Sequence, residues 1–586
     1  MPTDHTKIGA ITVVGGGIAG MQAALDAANA GFKVYLVEQD ISIGGVMAQL
    51  DKTFPTNDCS TCLISPKLIE VARHPDIEII TQSEVAKVEG EAGHFRVTLR
   101  QEPRYIDRDK CNACGACAEA CPVEMPSAFD EGLGVRHAAY RHFPQAIPAT
   151  FAIKKLDRAP CVRGCPANLS VQGYVQLVKA GKFPEALSLI MDRLPLPGTI
   201  GRICPHPCEV DCRRQEVDEP VAICNLKRFV ADSVDWKTLP MPEVDQRSEA
   251  VAIVGAGPSG LSCAYHLALK GYQAVIFEAA PEAGGWLRYG IPEYRLPREV
   301  LKREVDYIQR LGVQINYNSP MGGSGRTIND LLTQEGFRAV FLGVGAQDSL
   351  RLPVPGADAQ GVLWGVEYLK DSASGQEFDF TGKKVTVIGG GNVAMDVART
   401  ARRQGGAITV ISLESRAEMP ASSWEVAEAE HEGIEIIHRW GVKQILALKG
   451  LVTGLELKAV ERVFDENGRF APTYREDQTT SRDTDIVIMA IGQKTNLKFI
   501  TEADGIKLTP RGLIEADPDT LATSRAGVYA GGDVVSGPYI AIAAVAAGRE
   551  AALSIDRYLN GQDLKAGREM PLRPIAKEAG RWSPVP

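Results

Sequence analysis

The chain has 586 residues, room for about three to five domains with cores of their own. Its 64 Lys and Arg against 73 Asp and Glu give a net charge of -9 and a pI near 5.7, which argues against a basic surface for nucleic acid or anionic membrane. No apolar run approaches the eighteen or so residues of a membrane helix, and the opening MPTDHTKIGAITVV has no basic and apolar leader, so the expectation is a cytoplasmic soluble protein without membrane insertion.

From the N-terminus, Ile11 to Glu38 reads as a strand, the turn Gly15-x-Gly17-x-x-Gly20, a helix over about Met21 to Ala30, and a second strand ending in Glu38. Glycines at this spacing let the backbone approach a pyrophosphate at a helix N-terminus, and the acid suits a ribose hydroxyl. Cys59-x-x-Cys62 follows and leaves three readings open: half of a cluster site, a redox dithiol beside a flavin, or a buried pair without chemistry. Cys111-x-x-Cys114-x-x-Cys117-x-x-x-Cys121-Pro122 is the bacterial ferredoxin run and implies an iron–sulfur cluster, with Cys121 free to serve a different cluster from the first three.

Six more thiols, Cys161, Cys165, Cys204, Cys208, Cys212 and Cys224, lie in a Pro-rich stretch with short helical runs. Six exceed the four that one [4Fe-4S] cluster needs and fall short of eight, so a second cluster there needs an outside or non-cysteine ligand. Short-spaced cysteines in a reducing compartment favour metal or redox sites over disulfides. Cys263, alone beyond this region, reads as a small buried residue.

After a polar, proline-containing linker at Leu239 to Glu249, Val251 to Glu278 repeats the first pattern with Gly255-x-Gly257-x-x-Gly260, and Val385 to Glu414 repeats it again with Gly389-x-Gly391-x-x-Ala394. Three strand, glycine-turn, helix, strand and acid units predict an α/β chain with two or three dinucleotide sites. No hydrolytic constellation or histidine metal triad appears among nine scattered His.

Two resemblances follow from the residues. PCVRGCPANLSV, GRICPHPCEVDC, GAGPSG, AGGWLRYGIPEYRLP, GGGNVAMDVARTARRQGG, AEMPAS, AIGQKTN and GVYAGGDVVSGP make residues 156 to 560 resemble the small subunit of glutamate synthase, the large subunit of the bifurcating ferredoxin–NAD(P) transhydrogenase and the N-terminal half of dihydropyrimidine dehydrogenase. That resemblance implies a two-dinucleotide-domain flavoprotein behind a helical iron–sulfur domain. FAD would sit on Gly255, Gly257, Gly260, Glu278, Gly285, Gly532 and Asp533, and NAD on Gly389, Gly391, Ala394 and Glu414. Two departures stand out. The family's additional Cys-x-x-Cys just before Cys161 is missing from residues 151 to 159. The arginine pair of NADPH-using members is replaced by Leu413 and Glu414, which favours NAD(H) over NADP(H), with Arg416 the neighbour able to reach a phosphate.

GGGIAGMQAALDAANAGFKVYLVE, the stretch from IGGVMAQLDKTFPTNDCSTCLISPK onward, the ferredoxin run and FDEGLGVRHAAYRHFPQAIP make residues 8 to about 155 resemble the N-terminal part of the flavin-bearing, A-type subunit of heterodisulfide reductase. Only the first half of that protein's flavin domain is present. Gly15, Gly17, Gly20 and Glu38 are therefore a second candidate FAD site, the alternative being a scaffold that docks the ferredoxin module.

The expected organisation is a partial FAD-type unit over 1–100, a ferredoxin-like insert over 101–155 and a helical iron–sulfur domain over 156–245. An FAD domain over 246–358 and 491–562, an NAD(H) domain over 359–490 and a tail over 563–586 complete it. The expected function is an NAD(P)H-dependent flavin and iron–sulfur oxidoreductase with one or two FAD and two or three [4Fe-4S] clusters. Hydride would pass from NAD(H) to FAD, and single electrons would leave to redox partner subunits. Both resembled families include electron bifurcation, which adds ferredoxin as a candidate partner. The alternatives are the electron-supplying subunit of glutamate synthase, a stand-alone disulfide or small-molecule reductase using Cys59 and Cys62, and a non-catalytic scaffold.

Overall fold

The computed structural model describes residues 9–121, 123–155, 158–323, 325–568 and 581–582. Pro122 and most of the expected tail, 569–580 and 583–586, lie outside the described residues. The chain divides into two compact units, one made of Met1–Arg158 with Pro571–Pro586 and one of Ala159–Met570.

In the first unit, β1 (Ala10–Val14), β2 (Lys33–Val37) and β3 (Ile77–Ile80) form a parallel sheet in that order. Helices α1 (Ile18–Asn29) and α2 (Ser60–Arg73) bury Met21, Leu25, Ile64 and Leu68 against it. The segment carrying the ferredoxin run is held by Arg104, which is buried without a carboxylate. Its guanidinium donates to the carbonyls of Ile41, Thr150 and Phe151 and to Thr81 Oγ1 and Gln82 Oε1. Five donors in a fixed fork suit a site where loop carbonyls converge.

The second unit begins with α3 (Val171–Lys179), α4 (Phe183–Met191), α5 (Pro197–Ile203) and α6 (Ile223–Ser233), which share one core with the sheet that follows. That sheet contains β4 (Ala250–Val254), β5 (Gln273–Phe277), β6 (Gln314–Asn316), β7 (Ala339–Leu342) and, almost two hundred residues later, β15 (Val528–Ala530). Its order is β6-β5-β4-β7-β15, parallel throughout. Helices α7 (Pro258–Ala268) and α12 (Ala541–Leu559) pack together on one face, where Ser262 Oγ donates to the Val545 carbonyl at 2.7 Å. Because both faces are covered, β4 reads as the continuous apolar run Ala250-Val-Ala-Ile-Val254 and not as an alternating one.

Between β7 and β15 the chain builds a second parallel sheet. Its strands are β8 (Val362–Trp364), β9 (Lys384–Ile388), β10 (Ala407–Ser412), β11 (Glu435–His438) and β14 (Ile486–Met489), in the order β8-β14-β9-β10-β11. Helices α9 (Asn392–Arg403) and α11, between β10 and β11 at Ser423–His431, flank it. A three-stranded antiparallel sheet of β12 (Trp440–Leu448), β13 (Leu451–Phe464) and Phe470–Asp483 projects from it, and nothing in the sequence reading anticipated this element. The fold class is thus the expected one: α/β, two dinucleotide-type sheets and a helical cysteine-bearing region. Among the described residues no helix is long and apolar enough to cross a membrane.

Candidate redox site

At the end of β4, Gly255 turns with φ +99°, and Gly257 starts α7 with no atom nearer than 4.0 Å to a Cβ built on it. The loop therefore presents bare backbone to open space, the shape a pyrophosphate requires. Gly260 has the opposite role. A Cβ there would lie 1.9 Å from the Gly255 carbonyl oxygen, so the glycine lets the helix press against the turn. Glu278, 9 % exposed at the end of β5, accepts from Ala256 N at 2.6 Å and Ala280 N at 2.8 Å, which ties the acid to the loop it serves. Gly285, with φ +53°, packs on Gly257, where an added Cβ would sit 3.1 Å from its Cα. Gly532 has φ +78° and opens the single turn Asp533–Ser536. Asp533 accepts from Tyr539 N at 3.3 Å, and burial raises its carboxyl to about 6.

These residues line a cavity of about 930 Å³, large enough for a dinucleotide's reactive end. Asn392, Val393 and Asp396 of α9 line the same cavity, as do Trp424 and Glu425 of α11 and Ile203 and Pro205 on either side of Cys204. The flavin-type loop, the third glycine unit and the cysteine region thus meet around one space. Sequence reasoning missed the ion cluster at its edge. Arg295 Nη1 contacts both carboxylate oxygens of Asp396 at 2.7 Å, Arg295 also pairs with Glu425, and Arg399 reaches Glu425 at 3.2 Å. The signal was Asp396, one charge inside an otherwise apolar helix face of Ala394, Met395, Val397 and Ala398.

In the third unit Gly389 has φ +142°, and Ala394 replaces the third glycine. Glu414 is 8 % exposed and sits under the loop: Ser412 Oγ donates to its Oε2 at 2.6 Å, and a Cβ on Gly390 would meet that oxygen at 2.5 Å. Arg416 is paired with Glu430, and Arg439 with Glu418 at 2.6 Å.

The first unit repeats the flavin-type geometry closely. Gly15 has φ +101°, a Cβ on Gly20 would lie 1.8 Å from the Gly15 carbonyl oxygen, and one on Gly45 would lie 2.9 Å from Gly17 Cα. Glu38 accepts from Gly16 N at 2.6 Å and Asp40 N at 2.8 Å.

The six thiols of the helical region lie on or beside short helices that pack together, with Cys165, Cys208, Cys212 and Cys224 buried and Cys161 and Cys204 half-buried. The neighbouring Cys224 lowers the Cys204 thiol to about 6, while burial pushes Cys208 up to about 12. Lys227 is 4 % exposed in their midst. Burial pulls its ammonium down, yet Cys224, Cys204, Cys165 and Cys208 hold it above the ordinary lysine value. Burial raises Cys161, with Cys212 and then Cys165 as its charged neighbours. Short-spaced thiols on packed short helices are the soft donors an iron–sulfur cluster takes.

Within the ferredoxin run Ala113 and Gly115 take positive φ, forming a tight loop. Cys114 and Cys117 are exposed, and Cys111 and Cys121 half-buried. Burial raises the Cys117 thiol, and the charges of Cys111 and Cys114 add to it. Cys59 caps α2, its Sγ accepting from Cys62 N at 3.4 Å. Both are exposed, which removes the buried-pair reading, and Cys62 lowers the Cys59 thiol by hydrogen bonding while its own is raised. Cys263 is fully buried, as expected.

Residues 249–548 match the family model for pyridine nucleotide-disulphide oxidoreductases. Residues 153–238 match domain II of dihydropyrimidine dehydrogenase with its 4Fe-4S cluster, 10–94 an FAD-dependent oxidoreductase, and 104–127 a 4Fe-4S binding domain. The chain is 42 % identical over 441 residues to the NADP(+)-dependent formate dehydrogenase subunit beta of Moorella thermoacetica, covering 70 % of this chain and 61 % of that one. It is 38 % identical over 432 residues to the NADPH-Fe(3+) oxidoreductase subunit beta of Geobacter sulfurreducens, covering 68 % and 64 %. It is 58 % identical over 141 residues to a CoB–CoM heterodisulfide reductase iron-sulfur subunit of Methanopyrus kandleri, covering 24 % and 22 %. It thus spans a little under two thirds of the first two relatives and about a fifth of the third. These similarities agree with the fusion read from the motifs.

Proposed function

The chain belongs to the pyridine nucleotide-disulphide oxidoreductase family, and we propose that this flavin and iron–sulfur oxidoreductase is the NADH-linked electron-transfer subunit of a larger complex. The supporting observation is the shared cavity, lined at once by Gly255 and Asp533, by Asn392 and Trp424, and by the residues flanking Cys204. A flavin bound there supplies the step between hydride and single-electron chemistry. The protein's part is positional. Backbone amides at Gly255–Gly257 and the α7 N-terminus bind the pyrophosphate, and Glu278 takes a ribose hydroxyl. Asp533, held near the flavin site by Gly532, faces the dinucleotide chain. Gly389, Gly391, Ala394 and Glu414 hold the nicotinamide nucleotide against the opposite wall.

Four of the six thiols Cys161, Cys165, Cys204, Cys208, Cys212 and Cys224 would hold one [4Fe-4S] cluster, with Cys204 flanked by cavity-lining Ile203 and Pro205. Cys111, Cys114, Cys117 and Cys121 would hold a further one. Electrons then leave to partner subunits, in keeping with relatives that are themselves named as subunits of larger enzymes. Splitting the electrons between two acceptors, ferredoxin being one, is the bifurcating extension of this reading. Reduction of ferredoxin by NADH with no second acceptor present counts against it.

The preference for NADH rests on Glu414 and on Arg416, whose charge is already engaged by Glu430 and not offered to a 2′-phosphate. The names of the first two relatives point to NADP for those proteins. Steady-state reduction of an artificial acceptor with both nucleotides decides between them. We expect kcat/KM to favour NADH and Glu414→Arg to shift the ratio toward NADPH by tenfold or more; a wild-type preference for NADPH of that size refutes the assignment.

A further inference from the structure

The two flavin-type units differ in what lies beyond their first strand. In the second unit β4 is an inner strand. Val251, Ala252, Ile253 and Val254 pair with Ala339, Val340, Phe341 and Leu342 of β7, and β15 adds outside β7. Helix α12 closes the face of α7, with Gly548 so near that an added Cβ would meet the Ser259 carbonyl oxygen at 2.1 Å. Those four β4 residues are 0–3 % exposed.

In the first unit the sheet stops at β1, and among the described residues no strand pairs with its outer edge. Ile11 and Val14, which stand where Val251 and Val254 do, are 36 % and 65 % exposed. Ala19, Gln22 and Ala23 of α1, at the positions of Ser259, Ser262 and Cys263, are exposed where the second unit has α12. A parallel sheet ordinarily has both faces covered, and an apolar open edge is a pairing surface. Yet the nucleotide-facing geometry is intact: Glu38 repeats the two hydrogen bonds of Glu278 at the same distances, and Gly45 on Gly17 repeats Gly285 on Gly257.

We infer that the outer edge of β1 and the adjoining face of α1 form an interface for another polypeptide, which supplies the missing half of a flavin domain. What covers the edge must provide what β7, β15 and α12 provide in the second unit: a parallel strand against β1, a second strand outside it, a turn presenting a carboxylate to the glycine loop, and a helix on α1. A second copy of this chain does not fit, because its own β7, β15 and α12 are already engaged with β4 and α7. The partner is therefore a different redox protein carrying a half flavin domain, and the dinucleotide site of Gly15, Gly17 and Glu38 is complete only in the complex. The inference holds whichever nicotinamide nucleotide the second unit uses.

Amide hydrogen exchange on the chain produced alone and on the complex isolated intact from its native source tests this, together with the FAD count per chain. The Ala10–Val14 amides that point away from β2, and the first turns of α1, should exchange rapidly in the lone chain and at least tenfold more slowly in the complex, which should carry one more FAD per chain. Ile11→Lys, and the surface change Ala23→Arg that leaves the first unit's core untouched, should each abolish that protection and the additional FAD. Reduction of the second unit's flavin by NADH or NADPH should be unchanged. Equal exchange in both states, protection already present in the isolated monomer, protection that appears only with self-association, or an unchanged FAD count each overturns the interface.

Discussion

A lysine ammonium enclosed by thiols keeps its charge only if its neighbours share a negative one. Lys227 has Cys165, Cys204, Cys208 and Cys224 around it, and a cluster on four thiolates is anionic. The ammonium favours the more negative, reduced form, so Lys227→Met should lower that cluster's midpoint potential by roughly 100 mV, the order of one screened charge a few ångströms away. A redox titration followed by paramagnetic resonance measures this, and unchanged iron content separates it from loss of the cluster. Glu304, in Arg298–Arg310, is fully buried and accepts from Gly198 N and Thr199 N at the start of α5; burial raises it to about 7. Because the folded value lies above the unfolded one, the folded state binds the proton more tightly. Its contribution is fully present below about pH 4.5 and is lost as pH rises to about 7, roughly 3 kcal/mol in all. Glu304→Gln should flatten the fall in melting temperature across that window, a comparison that thermal denaturation at pH 5 and pH 8 provides.

At the level of elements, the glycine crossings carry a sharp expectation. Gly260→Ala forces a methyl into the Gly255 carbonyl and should yield protein without the second unit's flavin colour, whereas Ala394→Gly, at a crossing that already admits a Cβ, should keep nucleotide binding within about twofold. Arg295→Ala strands Asp396 without the guanidinium that both its oxygens accept from, at the seam of the two sheets, and should cost about 3–5 kcal/mol, read as a lower melting temperature. The strand–turn–helix units were legible because backbone sterics tie glycine to fixed positions and burial on both faces ties apolar runs to strands. The return of β15 to the first-formed sheet was legible only through the Gly-Gly-Asp resemblance. Two features were not legible. The antiparallel sheet of residues 440–483 is polar on much of its surface, so its period is blurred. The sorting of six cysteines into clusters depends on which thiols meet in space, and sequence spacing does not determine that.

Over the whole molecule, the second sheet is an insertion within the first, entered after Leu342 and left before Val528, so two chain crossings tether the nicotinamide-type domain to the flavin-type one. Iron and sulfide analysis should find about eight to twelve iron atoms per chain, two or three clusters of four; four or fewer would leave the ferredoxin run or the helical region without one. The cysteine loop is also in contact with the inserted domain. The His206 ring packs at a tilt against Trp424 at the start of α11 with 4.7 Å between centroids, and the His206 backbone N–H donates to Cys204 Sγ at 3.4 Å. A cluster on Cys204 and a nucleotide beside Trp424 would therefore be linked through two neighbouring side chains. By thermodynamic reciprocity, whatever factor cluster reduction imposes on nucleotide affinity, nucleotide binding imposes on the cluster's redox equilibrium. An electron on such a cluster would in that sense be a ligand of the inserted domain, able to hold or expel the spent nucleotide before a second one enters.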